Sequence, residues 1–124
     1  MKQIITENAP RAIGPYSQGI SVGNLVFVSG QIPLDPKTGV MPETVEEQAQ
    51  QVLKNLAGVL AQEGLSMKNV VKTVVFLADL NDFQTVNAIY ETAFSAPFPA
   101  RSCVEVAKIP RGAKLEIECI AVRE

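Results

Sequence analysis

The chain reads as one small α+β domain, on three observations. Segments with the period-2 alternation of strands are interleaved with two stretches whose apolar residues recur at helical spacing. Glycine and proline fall between these segments, where turns are needed. At 124 residues and 47% hydrophobic content the chain can build one core but not two, so residues 1–124 are read as a single domain.

Residues 19–22 and 25–29 read as paired strands, because Gly23-Asn24 between them is a hairpin turn signal. Residues 33–39 place Pro33, Pro36 and Gly39 at turn positions and read as a loop. Thr44 with Glu47 three residues later has the capping-box pattern, and Val45, Ala49, Val52, Leu53, Leu56 and Leu60 then predict a helix that Gly64 ends. Residues 70–78 form a β-branched run with Val70, Val74 and Phe76 on one face and Val71, Val75 and Leu77 on the other, so both faces are expected to be buried. Asn81 is expected to cap a second helix reaching about Phe94, with Phe83, Val86, Tyr90 and Ala93 turned inward. Residues 98–106 form the next strand. In residues 115–122, Leu115, Ile117, Cys119 and Ala121 alternate against Glu116, Glu118, Ile120 and Val122.

Two helices can cover only one face of a sheet. Because the central run is apolar on both, a second copy of the chain is expected on the other face, which puts a candidate site at the boundary between copies.

The densest chemistry lies in Phe98-Pro99-Ala100-Arg101-Ser102-Cys103-Val104-Glu105-Val106. Alternation puts Arg101, Cys103 and Glu105 on one face and Ser102, Val104 and Val106 on the other. A guanidinium is always charged and offers a planar fork of donors, so an arginine held on a strand makes a preorganised carboxylate anchor. The same residue also fits a structural ion pair with a nearby glutamate.

Composition excludes several function classes. A net charge of −2 and a pI near 5.2 give no basic surface for a phosphate backbone, so nucleic acid is not expected as a partner. No run of about 18 apolar residues could span a bilayer and residues 1–14 lack a signal h-region, so a cytoplasmic protein without membrane contact is expected. The absence of histidine removes Ser-His-Asp and Cys-His arrangements and histidine metal sites, two cysteines alone do not make a zinc site, and no Gly-rich loop has phosphate-cradle spacing. Neither metal nor cofactor is expected, and Cys103 and Cys119 read as free thiols. An enzyme with these tools suits a reaction of low intrinsic barrier, such as hydrolysis of an already reactive bond.

Gly14-Pro15-Tyr16-Ser17-Gln18, Ser29-Gly30-Gln31-Ile32-Pro33, Asp79-Leu80-Asn81-Asp82-Phe83 with Val86-Asn87, and residues 98–106 occur in that order. On these blocks the chain resembles the RidA (YjgF) family over about residues 9–122. The resemblance implies a chorismate-mutase-like (ferredoxin-like) α+β fold, with a mixed sheet, two helices on one face, and a homotrimer with clefts between subunits. It also implies hydrolytic deamination of reactive 2-imino acids or their enamine tautomers, 2-iminobutanoate and 2-iminopropanoate among them, to 2-oxo acids and ammonia. The partner is then a small imino or oxo acid.

The resemblance further implies that Arg101 holds the substrate carboxylate and that Glu116 holds and polarises the attacking water as a general base. Glu118 lies on the same strand face, so periodicity alone does not choose between them, and without the resemblance Glu116 reads as a solvated strand residue. Tyr16, Ser29, Gly30, Asn87 and Cys103 are implied to line the cleft, Cys103 as a wall because no base is available to make a thiolate. Their ordinary readings are a core aromatic for Tyr16, a strand end for Ser29, a turn for Gly30 and an exposed helix residue for Asn87. Arg11 and Arg111 read as surface charges. Relatives often have several more residues than Ser95-Ala96-Pro97 here, so this connection is expected to be stiff and to reshape the cleft. Cys119, where a small aliphatic residue is more usual, reads as a core filler. Because fold and family do not fix activity, the alternative is a non-catalytic trimer that senses 2-oxo acids or binds a partner through the same cleft.

Overall fold

In a computed structural model describing residues 1–124, the alternating segments become strands β1 (Lys2–Ile4), β2 (Gly19–Val22), β3 (Leu25–Gln31), β4 (Val70–Leu77), β5 (Ala100–Glu105) and β6 (Leu115–Val122). The helical stripes become α1 (Val45–Gln62) and α2 (Phe83–Ala93). The strands make one sheet in the order β1-β2-β3-β6-β4-β5. Every pairing is antiparallel except β4 with β5, which α2 joins as a parallel crossover and which leaves β5 at the sheet edge. This is the mixed α+β sheet that the sequence predicts.

Both helices pack on one face. Val52, Leu56, Val59 and Leu60 of α1 and Val86 and Tyr90 of α2 meet Val26, Val28, Val75, Leu77, Leu115, Ile117, Cys119 and Ala121 of the sheet in a single core. Each fully buried leucine there contributes about 1.5–3 kcal/mol relative to exposure. Gly64 ends α1 with φ +72°, a left-handed conformation that carries a side chain only with strain, while the Leu65 N–H reaches back to the Leu60 carbonyl. No helix is long and apolar enough to cross a membrane.

Three local expectations need correction. Thr44 caps α1 by accepting from the Glu47 N–H, but the Glu47 carboxylate bonds the Thr44 hydroxyl instead of its backbone. Asp79, not Asn81, caps the second helical segment: it accepts from the Asn81 N–H and starts a single 3-10 turn, Leu80–Asp82, that runs into α2. Val70 lies on the helix-facing side with Thr73, Val75 and Leu77, because the β4–β6 register shifts between Val70 and Lys72 and inverts the alternation there.

Strand β1 was not legible in the sequence. Its three residues are too short for a periodic signal, and a tertiary contact ties them down: Lys2 and Arg123 both pair with the enclosed carboxylate of Glu63 at the end of α1. The Lys2 hydrogen bond, with Arg123 adding to it, holds Glu63 below the usual carboxylate range despite burial.

The second face of the sheet has no helix over it. Ile20, Phe27, Val74, Phe76, Val104 and Ile120 lie there, with Phe27 41% and Val104 44% exposed. Within one chain, then, β4 is buried on one face and only half covered on the other.

Candidate active site

Phe83, Asn87 and Tyr90 fall at helical spacing on α2, so they share the face turned toward β5. Arg101 reaches into that face. Its guanidinium carbon lies 4.8 Å from the Tyr90 ring centroid and 5.6 Å from that of Phe83. One Nη1–H donates to Asn87 Oδ1 at 2.8 Å. The ion pairs of the chain are those of Glu63 with Lys2 and Arg123, so no carboxylate neutralises Arg101. This half-buried cation borders a cavity of about 400 Å³ lined by Asn87, Tyr90, Glu91, Phe98, Pro99 and Arg101. A carboxylate entering it would meet the donors that Asn87 leaves free.

Cys103 follows Arg101 on the same face and packs against the core. Burial pushes its thiol up, with the Arg101 charge only partly opposing, which argues against a nucleophile, and Cys103 does not line the cavity beside Arg101, so the expected wall position is not seen there. Cys119, deeper in the core, is pushed up to about 12, mainly by burial, which fits a filler role.

The remaining candidates gather on the opposite face. Between Val28 and Gln31 the β3–β6 register slips by one residue, a bulge that places Gly30 over the Glu116 side chain. A Cβ at position 30 would fall inside the Glu116 carboxylate. Ser29 Oγ donates to the Ser17 carbonyl at 2.6 Å, drawing the Tyr16 loop onto β3, and the exposed Tyr16 hydroxyl accepts from the Ile13 N–H at 3.4 Å. Burial raises the Glu116 pKa above its ordinary value and the neighbouring Glu118 charge adds to the shift. Glu116 is half-buried and Glu118 exposed, so tertiary packing separates two glutamates that periodicity leaves equivalent. Gly30 is a strand residue of close approach and not a turn.

Gly30→Ala is therefore expected to keep the fold, since the backbone there needs no positive φ, while pushing the Glu116 carboxylate aside. The expected result is a fall in turnover of roughly 10²-fold, the lower scale for losing a positioned base, with the melting temperature nearly unchanged. A variant with full activity would show that Glu116 does not need its observed position.

Arg101 and Glu116 do not meet within one chain. They project from opposite faces, and the register pairs Arg101 with Thr73 but Glu116 with Phe76. Strands β5 and β6 are separated by β4, so the two backbones lie roughly 10 Å apart across the sheet and about as far along it. Asn87 and Arg101 thus sit together on the helix-covered side with Cys103 next on β5, while Gly30 and Glu116 meet on the open face.

A wider open hollow of about 1050 Å³ lies between residues 3–12, Pro36, Lys37 and Gln62. Its one buried amide, Gln18, is fully engaged by Thr6, Ala9 and Pro10, so no unpartnered group there points to a ligand.

The family model described as Endoribonuclease L-PSP matches residues 6–123. The chain belongs to this family. A relative from Salmonella typhimurium named 2-iminobutanoate/2-iminopropanoate deaminase is 58% identical, over 98% of both chains. The structure of the Escherichia coli YjgF gene product superposes with a TM-score of 0.97 at 55% identity over all of both chains. That of Escherichia coli TdcF with bound serine does so with 0.97 at 49%. The L-PSP family is thus the one that the sequence blocks resemble. Sequence reasoning did not place Tyr90, Phe83 and Glu91 beside Arg101; its core reading of Tyr90 holds, since that ring is buried, but Phe83, expected to turn inward, is exposed. The signal that could have found them is the spacing of Phe83, Asn87 and Tyr90 opposite an arginine-bearing strand.

Proposed function

We propose that this chain hydrolyses reactive 2-imino acids, including 2-iminobutanoate and 2-iminopropanoate, to 2-oxo acids and ammonia, in clefts formed between copies in a homotrimer. The observation that carries the reading is the uncompensated Arg101 guanidinium at the mouth of a small cavity. The activity named for the 58% identical relative agrees with it. A bound serine in the TdcF relative carries the carboxylate that Arg101 is read to hold.

Arg101 takes the carboxylate in its free donors and so fixes the C=N carbon. A water beside Glu116 attacks that carbon of the protonated imine while the Glu116 carboxylate accepts a proton from the water, giving a neutral tetrahedral carbinolamine. The same proton returns to nitrogen, the C–N bond breaks, and ammonia leaves as the re-ionised Glu116 takes the hydroxyl proton and the carbonyl forms. A base with a raised pKa suits both transfers. Cofactor and metal have no step in this scheme.

Because Arg101 and Glu116 lie on opposite faces, the scheme needs one from each of two copies. The uncovered apolar face of Phe27, Phe76 and Val104 supports such an assembly, since exposed patches of this kind mark contact surfaces. A stable monomer in sedimentation would sink the trimer. The free thiols fit a cytoplasmic location. The acidic balance of the chain argues against a nuclease.

The test is imine lifetime. A lyase or amino-acid oxidase generates 2-iminobutanoate, and semicarbazide trapping follows its loss with and without the protein. Accelerated loss is expected, on the scale of a positioned base, roughly 10²- to 10⁴-fold. No acceleration over several side-chain sizes would leave the cleft as a binding site.

A further inference from the structure

We propose that Tyr90 is the positioning residue of Arg101, with the buried hydroxyl pair it forms with Thr73 fixing its ring; this rests on the anchor role given to Arg101 above. Thr73 is fully buried on β4, directly across the parallel ladder from Arg101. Its hydroxyl has one side-chain partner, Tyr90 Oη at 2.7 Å. A buried hydroxyl left without a partner is costly, so the pair fixes the depth and tilt of the ring. Phe94 packs on the same ring, with centroids 4.5 Å apart. The ring face is then held under the Arg101 guanidinium at 4.8 Å, where the attraction between cation and π-system opposes rotation of a long side chain.

Asn87 and Phe83 complete the cradle from the same helix. The phenol hydroxyl is taken by the buried Thr73, so Tyr90 shows the cavity only its ring, and its hold on a carboxylate runs through Arg101. What it supplies is preorganisation: the rotamer freedom that Arg101 would lose on binding a carboxylate is already lost in the free protein.

The test reads Arg101 directly. Arg101 is one of four arginines, with Arg11, Arg111 and Arg123, so its Nε–H signal can be assigned by Arg101→Lys. In ligand-free protein that signal is expected to be rigid, and Tyr90→Leu is expected to make it as mobile as that of the exposed Arg11. The same substitution should weaken binding of 2-oxobutanoate roughly tenfold. Val26→Ala, a cavity in the same core but on β3, three strands from Arg101 in the sheet, should lower the melting temperature and leave both readouts unchanged. Tyr90→Phe, which keeps the ring but loses the Thr73 bond, should fall between Tyr90→Leu and the unsubstituted protein, with part of the binding recovered and Arg101 still more mobile than in the latter. Tyr90→Leu behaving like Val26→Ala would overturn the proposal. If Tyr90→Leu does not fold, Thr73→Val decides: greater Arg101 mobility supports the pinning and an unchanged signal overturns it. Failure of the unsubstituted protein to bind 2-oxobutanoate would instead sink the anchor reading, while Arg101 relaxation would still settle the positioning.

Discussion

Replacing Arg101 with alanine is expected to lower kcat/KM for 2-iminobutanoate by roughly 10²- to 10³-fold, the usual loss when one partner of a desolvated charge pair is truncated. The reason is geometric. Arg101 is the one cation lining its cavity, and Asn87 occupies only part of its donor fork. No neighbouring charge can take its place. The loss should fall mostly on KM, because a carboxylate remote from the reacting carbon is held alike in ground and transition states. Arg101→Lys keeps the charge but loses the planar fork and the stacking on Tyr90, so an intermediate loss is expected. Steady-state kinetics with semicarbazide competition check both variants, and an Arg101→Ala enzyme with unchanged KM would remove the anchor.

Glu116→Gln is expected to act on kcat instead, by roughly 10²- to 10⁴-fold with KM little changed, because glutamine fills the same space but cannot accept the proton of the attacking water. The pH profile gives a second reading. Glu116 must be ionised to act as a base, and burial with the Glu118 charge raises its pKa above the ordinary value of 4.5. Activity should therefore be lost, as pH falls, at a higher pH than an unperturbed carboxylate would give. Glu118→Gln removes one of the two causes and should move this acid limb to lower pH. An unmoved limb would show that another group sets it.

The two variants together test where the site is assembled. If Arg101 and Glu116 come from different subunits, inactive Arg101→Ala and Glu116→Gln chains refolded as a mixture should regain activity in about one quarter of the sites, by random assortment around a closed ring. Variants with both changes in one chain, mixed with each other, should regain none. Lack of rescue in the first mixture would place both residues in a site within one chain, against the geometry of the sheet.

What the sequence determined by itself is the local pattern: two helices with one apolar stripe each, the first with its Thr44 cap, alternation that puts Arg101 beside Cys103, and an absence of histidine that closes most nucleophilic and metal chemistry. These are properties of neighbours along the chain, where side-chain period and backbone propensity act directly. The structure decided that Asp79 and not Asn81 is the cap, since Asp79, Asn81 and Asp82 offer similar local choices within four residues. It brought Lys2 and Arg123 to Glu63 across the length of the chain, laid Gly30 on Glu116 and not on Glu118 through a bulge, and set the core ring of Tyr90 beneath Arg101. It also set Arg101 and Glu116 on opposite faces of one sheet. The physical reason is the same in each case: burial, charge proximity and facing direction depend on the register of strands far apart in sequence, and register is fixed only when the whole apolar set is buried at once.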